Sequence, residues 1–485
     1  MVFSDLLFIF VFLPLFALTY LLGAWIDKIR NKSAETRGEE LHRRLMWRNI
    51  ALVIFSLIFY SWGEPIYVFL MLISVCINYV CGLGIEKSRY SKPWLIVGVA
   101  LDLGILGTFK YLGLFAETLS GIGIPVKDPG IALPIGISFY IFQSISYLVD
   151  VYRKESPAQH NYLDLLLYIS MFPQLIAGPI VRYGTIAEEI NHRRVDSGDV
   201  AQGSYRFFIG LAKKVIFANI LGEIATQLIG GDLTDLSTVG AWVGIAAFSL
   251  QIYFDFSGYS DMAIGLGRSI GFHFPENFRH PYTCTSMTDF WRKWHISLGS
   301  FFRDYVYIPM GGNRRHQALN IMVVWMLTGF WHGASWNFLL WGLYFGVIIT
   351  IEKYTLLKWR VPRVLLHLYC LPLLLISWAM FYFEDFGRMQ QFYHAMFGMG
   401  ASQGIPMSVE SAVMDNLWLW VFAIILCMPV REKLSRFADR RALKMGQSGE
   451  IALQACRAVI SIAIIITSVA LLVGATNNAF IYTRF

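Results

Sequence analysis

The chain has 485 residues, of which 56% are hydrophobic and 15% charged, and its mean hydropathy is +0.52. A soluble domain is ~25% charged and a membrane β-barrel alternates weakly in ~10-residue segments, so we predict an all-α polytopic membrane protein. The net charge of +7 does not indicate nucleic-acid binding, because the Lys and Arg residues lie in short loops between apolar runs.

Apolar segments and basic loops alternate from the N-terminus. The apolar segment 2–26 is too long for the core of a signal peptide, and no basic residue precedes it. We therefore expect it to be the first membrane span, retained in the mature protein. Further spans are predicted at about 49–62, 66–84, 93–109 and 133–152, with an irregular stretch before about 130. The loops 28–48 and 86–92 are rich in Lys and Arg, which places them in the cytoplasm.

The segment 163–182 contains Pro173 and Pro179, which predict a broken or re-entrant helix. A polar cytoplasmic loop is expected up to residue 206, followed by spans at about 207–230 and 238–270. The last three spans are predicted at about 364–383, in a segment that ends at 430, and at about 451–474. The loops 353–363 and 431–444 are expected in the cytoplasm, and 384–414 is expected outside. This gives about 11–12 membrane segments in a single integral-membrane domain, residues 1–485.

The stretch 286–315 carries the first candidate histidine. Ser286 and Asp289 form a capping-box pattern at the start of a predicted helix. At helical periodicity Trp291, His295 and several other aromatic residues share one apolar face, while the basic residues share the other. His295 is therefore either a core histidine with a satisfied hydrogen bond or a functional residue.

The stretch 317–351 has no charged residue and carries the second candidate histidine. As one helix its 35 residues would be ~52 Å long, whereas the hydrocarbon core of a bilayer is ~30 Å thick. We therefore predict a break at Gly333. His332 would lie at this break within the membrane, where an ionisable residue indicates a functional site.

A neutral imidazole at this position can take the proton of a hydroxyl group that attacks an acyl thioester. Asp255 and Asp261 lie in apolar surroundings, as either relay carboxylates or partners in hydrogen bonds that brace helices. The six cysteines have no metal-type spacing, and we expect no metal and no bound cofactor. P-loop, GxSxG and HExxH motifs do not occur in the sequence, which argues against several other enzyme classes.

The motifs DFWRKWHISLGSFFRDYVYIPMGG and TGFWHGASWNFLLWGLYFG closely resemble the two signature regions of the membrane-bound O-acyltransferase family, and YFDFSGYSDMAIG resembles a third region of its bacterial branch. This branch O-acetylates alginate, peptidoglycan and other cell-wall polysaccharides. The resemblance implies that His332 is catalytic, that His295 supports it, and that a central tunnel joins the two membrane faces. Candidates for lining the tunnel or supporting the site are Trp331, Asn337, Trp291, Asp289, Asp255 and Asp261.

By this resemblance the protein is an acetyltransferase of the bacterial inner or plasma membrane that uses cytosolic acetyl-CoA to O-acetylate an extracytoplasmic polysaccharide. An extracytoplasmic SGNH-type acetyltransferase is the expected partner, together with membrane lipids. The ending FIYTRF resembles the terminal motif of this branch and makes Tyr482 either a transient acyl carrier or an interfacial anchor. The alternatives are D-alanyl transfer to teichoic acid from a carrier protein, and transport of a lipid-linked glycan.

Overall fold

The computed structural model describes residues 1–37, 45–399, 404–474 and 480–481, and the regular elements within these ranges are all helices. The described residues form two compact units. The first comprises those up to residue 207 together with 259–275, and the second comprises 208–258 and those from 276 to 481. The predicted all-α class is confirmed.

The helices of the N-terminal half begin with a π-helical turn, Phe8–Phe12, that continues directly into the first α-helix. Further π-helical turns, Gly107–Tyr111, Lys213–Ala218 and Thr226–Gly230, extend α4, α10 and α11. The α-helices are α1 (Leu13–Arg37), α2 (Met46–Gly63), α3 (Tyr67–Lys87), α4 (Ser91–Leu106), α5 (Leu112–Gly121), α6 (Ile137–Tyr152), α7 (Tyr162–Ser170), α8 (Phe172–Leu175), α9 (Tyr183–His192), α10 (Ser197–Ala212), α11 (Asn219–Ala225) and α12 (Thr238–Ser269).

The helices of the C-terminal half include several short ones around the candidate site. Two 3-10 turns, Pro281–Thr283 and Leu356–Lys358, and a π-helical turn, Arg303–Tyr307, lie between them. The α-helices are α13 (Met287–Trp291), α14 (Ile296–Phe302), α15 (Gln317–His332), α16 (Trp336–Tyr354), α17 (Arg363–Tyr382), α18 (Phe386–Met396), α19 (Met407–Met414), α20 (Leu417–Leu426), α21 (Val430–Lys444) and α22 (Gly446–Val473).

Within the described ranges, seven helices are long and apolar enough to cross a membrane, and the bent pair α19–α20 would make an eighth. The seven are Phe8–Arg37, Tyr67–Lys87, Ser91–Gly121, Thr238–Ser269, Trp336–Lys358, Arg363–Tyr382 and Gly446–Val473. The sequence-based count of about 11–12 is higher because it included segments such as α6 and α15. Each has 16 residues, or about 24 Å of helix, less than the ~30 Å hydrocarbon core.

The segment 163–182 is broken, as its prolines predict. Helix α7 ends at Ser170, and Met171 leaves the helical conformation before the single turn of α8. The backbone from 176 to 182 is not helical, although its side chains are largely buried in the first unit. The polar stretch that follows is not a simple loop, because α9 and the first half of α10 lie in it.

The helices α15 and α16 form a closely packed pair in the second unit. A Cβ atom on Gly342 would collide with the Trp325 carbonyl oxygen and lie 3.2 Å from the Cα atom of Gly329. A Cβ atom on Gly329 would in turn collide with the Phe338 carbonyl oxygen. The two glycines therefore allow the two backbones to approach each other, as small residues do in membrane helix pairs.

We expect Gly342→Ala to lower the thermal midpoint of the detergent-solubilised protein, because overpacking of this kind costs ~1–3 kcal/mol. The matched control is Gly104→Ala in α4, where an added Cβ would meet nothing within 4 Å. The control should be neutral or slightly stabilising, since alanine favours helix. Equal midpoints for both variants would contradict the close approach of α15 and α16.

Candidate active site

The break between α15 and α16 forms where the sequence predicts it. His332 is the last residue of α15, Gly333 has extended backbone angles, and α16 begins at Trp336. Glycine is required at 333 by space, because a Cβ atom there would overlap the Phe338 ring. Asn337 is fully buried and its Nδ2 donates a hydrogen bond to the Met380 carbonyl oxygen of α17 at 3.0 Å, which fixes the start of α16.

His332 lies in a cage of aromatic rings at this break, and only 2% of its surface is exposed. Its ring centroid is 4.9 Å from that of Trp331, 5.0 Å from Trp341 and 5.4 Å from Phe381, each approached edge to face. These rings exclude water from the imidazole. A dry environment of this kind protects a reactive acyl group from hydrolysis and strengthens polar interactions with it.

His295 occupies a second break, which corrects the prediction that Trp291 and His295 share the face of one helix. Helix α13 ends at Trp291 and α14 begins at Ile296. Between them His295 has a φ of +46°, in the left-handed region. This conformation is uncommon for a residue with a side chain, although histidine adopts it more readily than most. The break interrupts the helical periodicity between Trp291 and His295.

Asn277 determines the tautomer of His295. Its Oδ1 accepts hydrogen bonds from the backbone N–H and the hydroxyl of Ser297, at 3.2 and 2.9 Å. The same oxygen lies 3.2 Å from Nδ1 of His295, so Nδ1 must carry the proton and donate it. The lone pair then lies on Nε2. Burial lowers the pKa of His295 below its ordinary value, which keeps this ring neutral at physiological pH.

Trp331 connects the surroundings of the two histidines. Its ring centroid is 5.7 Å from that of His295 and 4.9 Å from that of His332. Trp291, at the end of α13, packs against Trp325 of α15 at 4.7 Å and Phe345 of α16 at 5.0 Å. The structure therefore brings the two histidine-bearing motifs, which are separate in the sequence, into one aromatic cluster.

The start of α13 is held by a carboxylate that sequence reasoning missed. Ser286 caps the helix by accepting from the backbone N–H of Asp289 at 2.9 Å, as the sequence predicts. The fully buried carboxylate of Glu352, at the end of α16, accepts from the N–H groups of Met287 and Thr288 at 2.6 and 2.9 Å. A negative charge at a helix N-terminus is stabilising, so Glu352 joins α13 to the α15–α16 pair.

Asp289 has a local role rather than a position in the aromatic cluster. Its Oδ2 accepts from the Thr285 backbone N–H at 3.1 Å and forms an ion pair with Lys293 at 2.8 Å. Lys293 is four residues further along the chain, so the ion pair spans about one helical turn. These contacts stabilise the turn before His295, so Asp289 supports the candidate site from outside.

Asp255 forms a buried ion pair and also binds the end of the chain. Its Oδ1 is 2.7 Å from Nζ of Lys214, and its Oδ2 accepts from the backbone N–H of Ile481 at 2.7 Å. The neighbouring Phe480 contacts Phe256 at 6.2 Å between centroids, and Phe256 in turn contacts His295 at 4.7 Å. This geometry fits the second of the two alternatives for Asp255, a partner in hydrogen bonds that brace helices. The hydrogen bond to Ile481 also brings residues 480–481 next to the aromatic cluster.

Asp261 also has the geometry of a brace. Its Oδ1 accepts from Nε and an Nη of Arg206 at 2.9 and 2.8 Å within the first unit. Tyr482, the candidate acyl carrier, lies outside the described residues.

The sequence gives little indication of two residues that support the candidate site, Glu352 and Asn277. Glu352 is an acidic residue at the end of an apolar run and Asn277 lies in a polar connector, and neither position forms a motif.

Comparison with known proteins adds the following findings. The sequence profile of MBOAT, the membrane-bound O-acyltransferase family, matches residues 6–383. The chain is 39% identical over 414 residues to a protein of Azotobacter vinelandii named probable alginate O-acetylase AlgI, covering 82% of this chain and 79% of the relative. It is 32% identical over 456 residues to a Helicobacter pylori peptidoglycan O-acetyltransferase, covering 86% and 83%. A Bacillus subtilis teichoic acid D-alanyltransferase is 29% identical over 236 residues, or 45% of this chain and 59% of the relative.

The brace at Asp255 generates a prediction. Asp255→Ala removes the acceptor of the Ile481 N–H and leaves the Lys214 ammonium buried without its partner, a change that costs ~3–5 kcal/mol. We expect faster hydrogen exchange in the peptide that contains residues 480–481, measured by mass spectrometry, and a lower thermal midpoint. Asp261→Ala, which also breaks an ion pair, is the control and should leave exchange at 480–481 unchanged. If both variants exchange alike, Asp255 does not hold this segment.

Proposed function

Because the chain belongs to the membrane-bound O-acyltransferase family, and is thus an acyltransferase and a multi-pass membrane protein, we propose that it transfers acetyl groups from cytosolic acetyl-CoA. The final acceptor in this proposal is an extracytoplasmic polysaccharide. The observation that carries it is the shared aromatic cluster of His295 and His332. Membership of an enzyme family also makes transport of a lipid-linked glycan the weaker alternative.

His332 is the general base in this proposal. A hydroxyl oxygen attacks the thioester carbonyl carbon, so that a C–O bond forms and the C–S bond breaks. The hydroxyl proton moves to the imidazole and then to the departing sulfur, which leaves as the CoA thiol. General-base help of this kind is worth ~10²–10⁴-fold in rate, and the surrounding rings keep water from taking the place of the hydroxyl.

His295 acts as a supporting residue. With its proton on Nδ1, held towards Asn277, the lone pair on Nε2 can accept a hydrogen bond. The imidazole is neutral, so it adds no charge that would disfavour protonation of His332 during the transfer. Its edge-to-face contact with Trp331 also stabilises the ring that packs against His332.

Tyr482 is the proposed first acceptor of the acetyl group. It follows Ile481 directly in the sequence. The backbone of Ile481 is bound by Asp255, and Phe480 packs on Phe256 beside His295. These contacts support delivery of the phenol to the neighbourhood of the two histidines. An extracytoplasmic SGNH-type acetyltransferase would then move the acetyl group to the polysaccharide.

The extent of similarity favours acetyl over D-alanyl transfer. The probable alginate O-acetylase of Azotobacter vinelandii matches over 82% of this chain, whereas the teichoic acid D-alanyltransferase of Bacillus subtilis matches over 45%. Acetyl-CoA is also a free cytosolic thioester, whereas D-alanyl transfer requires a carrier protein to dock. The proposal therefore names acetyl-CoA as the donor and an alginate-like, peptidoglycan or other cell-wall glycan as the acceptor.

We expect His332→Ala to reduce CoA release from labelled acetyl-CoA by at least ~10²-fold, because the variant lacks the base. The measurement is a thiol-release assay on the purified protein in proteoliposomes. His394→Ala, which removes an exposed histidine of α18, is the control and should match the wild type.

His295→Asn serves as a second variant in the same assay, because asparagine tolerates the left-handed backbone. It should lose activity partially, in keeping with a supporting role. CoA release by His332→Ala at the wild-type rate would refute the assignment of the base. Thiol release from a D-alanylated carrier protein, with none from acetyl-CoA, would support the D-alanyl alternative.

We expect the C-terminal peptide to carry one acetyl group on Tyr482 after incubation with acetyl-CoA, detected by mass spectrometry. Tyr482→Phe keeps the ring but has no hydroxyl, so it should abolish both the label and the transfer. An unmodified Tyr482, together with full activity of Tyr482→Phe, would leave direct transfer to the glycan as the only route within this proposal.

A further inference from the structure

The second unit contains a cavity of ≈ 670 Å³ between α12, α17, α20 and the first turn of α21. This volume lies within the range of ~300–1,000 Å³ that is typical of small-molecule sites. Neither His295 nor His332 is among its lining residues, so the cavity is distinct from the candidate active site.

The wall of the cavity is mainly hydrocarbon. Its few polar groups are largely engaged within the protein: the hydroxyls of Ser249 and Tyr282 are 2.8 Å apart, and the Tyr282 hydroxyl donates to the Ser249 carbonyl oxygen at 2.6 Å. Nδ1 of His367 lies 2.8 Å from the Cys284 carbonyl oxygen. An occupant of this cavity must therefore be held mostly by apolar contacts, which suits a hydrocarbon chain and does not suit the polar pantetheine arm of CoA.

The cavity reaches the outer surface of the protein. Leu371 of α17, Ile424 of α20 and Met428 line it, yet they are 40%, 52% and 46% exposed. Helix α17 is a candidate span and α20 belongs to the bent candidate span. Side chains that are exposed on such helices face lipid, so a lipid chain can enter the cavity from the bilayer.

A basic side chain is among the residues that line the cavity. Lys433 lines it from the first turn of α21, and among the described residues no carboxylate pairs with this ammonium group. The two acidic residues of α21 are both engaged elsewhere, Glu432 with His280 at 2.9 Å and Asp439 with Arg457 at 2.7 Å. Helix α21 therefore presents an excess of positive charge next to the cavity.

Helix α21 has the composition of a helix that lies at a membrane surface. Its sequence, VREKLSRFADRRALK, has six Lys and Arg residues. Its apolar side chains Leu434 and Phe437 are 63% and 59% exposed, which is costly in water but favourable at the boundary of headgroups and acyl chains. This position would place Lys433 at the level of the lipid phosphates.

We propose that the cavity binds one acyl chain of an anionic glycerophospholipid, with the lipid phosphate paired to Lys433. The apolar wall holds the chain, the exposed lining residues provide its route from the bilayer, and the basic helix selects an anionic headgroup. The bound lipid joins α17, α20 and α21 and so stabilises this part of the fold.

The test measures the thermal midpoint of the delipidated, detergent-solubilised full chain as phosphatidylglycerol is added, and counts bound lipids by native mass spectrometry. We expect the midpoint of the wild type to rise by roughly 2 °C or more at saturation. Leu375→Trp and Ala246→Phe each fill the cavity and should abolish the rise. If one of the two variants does not fold, the other still tests the proposal. Lys433→Ala should weaken binding about fivefold, the equivalent of about 1 kcal/mol per basic side chain at an anionic surface.

Lys444→Ala is the matched control, because it removes one charge from the same helix at a residue that does not line the cavity. It should bind as the wild type does. Equal rises in the cavity-filled variants and the wild type would show surface adsorption only and overturn the proposal. Protection by acetyl-CoA in place of phospholipid would also overturn it. CoA release is measured on the same samples, and unchanged release in a variant without lipid binding separates this site from the transfer reaction.

Discussion

The interruption of the α15–α16 helix at Gly333 is the constraint on which the candidate site depends. In a continuous helix α16 could not fold back along α15, and Trp341 of α16 could not contact the His332 ring. The break instead ends α15 at His332, and the Phe338 ring packs against Gly333, where a side chain would not fit. Because the backbone turns inside the protein, the imidazole lies among Trp331, Trp341 and Phe381.

A second interruption complements the first. The left-handed backbone at His295 separates α13 from α14, and both short helices are fixed by contacts with distant parts of the chain. Glu352 binds the start of α13, while Asn277 binds His295 and Ser297 after the break. These contacts fix the position of His295, as the proposed supporting role requires, because small displacements around a reacting group reduce the rate steeply.

The two buried aspartates show how charge is used in the apolar interior of this protein. Each is paired with a basic residue, Asp255 with Lys214 and Asp261 with Arg206. Burial of such a pair is tolerated only when its remaining hydrogen-bonding capacity is also satisfied. Asp255 uses that capacity to bind the Ile481 backbone, so a pair that stabilises the fold also holds the segment that precedes Tyr482.

The sequence by itself determined the membrane class, the break at Gly333, the cap at Ser286, the broken segment 163–182 and the family. Each of these depends on local patterns, such as segment length, a capping residue, a proline or a contiguous motif. Only the tertiary structure decided the conformation of His295 and the roles of Glu352, Asn277 and Asp255. These contacts join residues far apart in the chain, 65 positions for Glu352 with Met287 and 226 for Asp255 with Ile481. Helical periodicity contains no information about such distant partners, and for this reason it placed His295 on a helix face that the folded protein does not form.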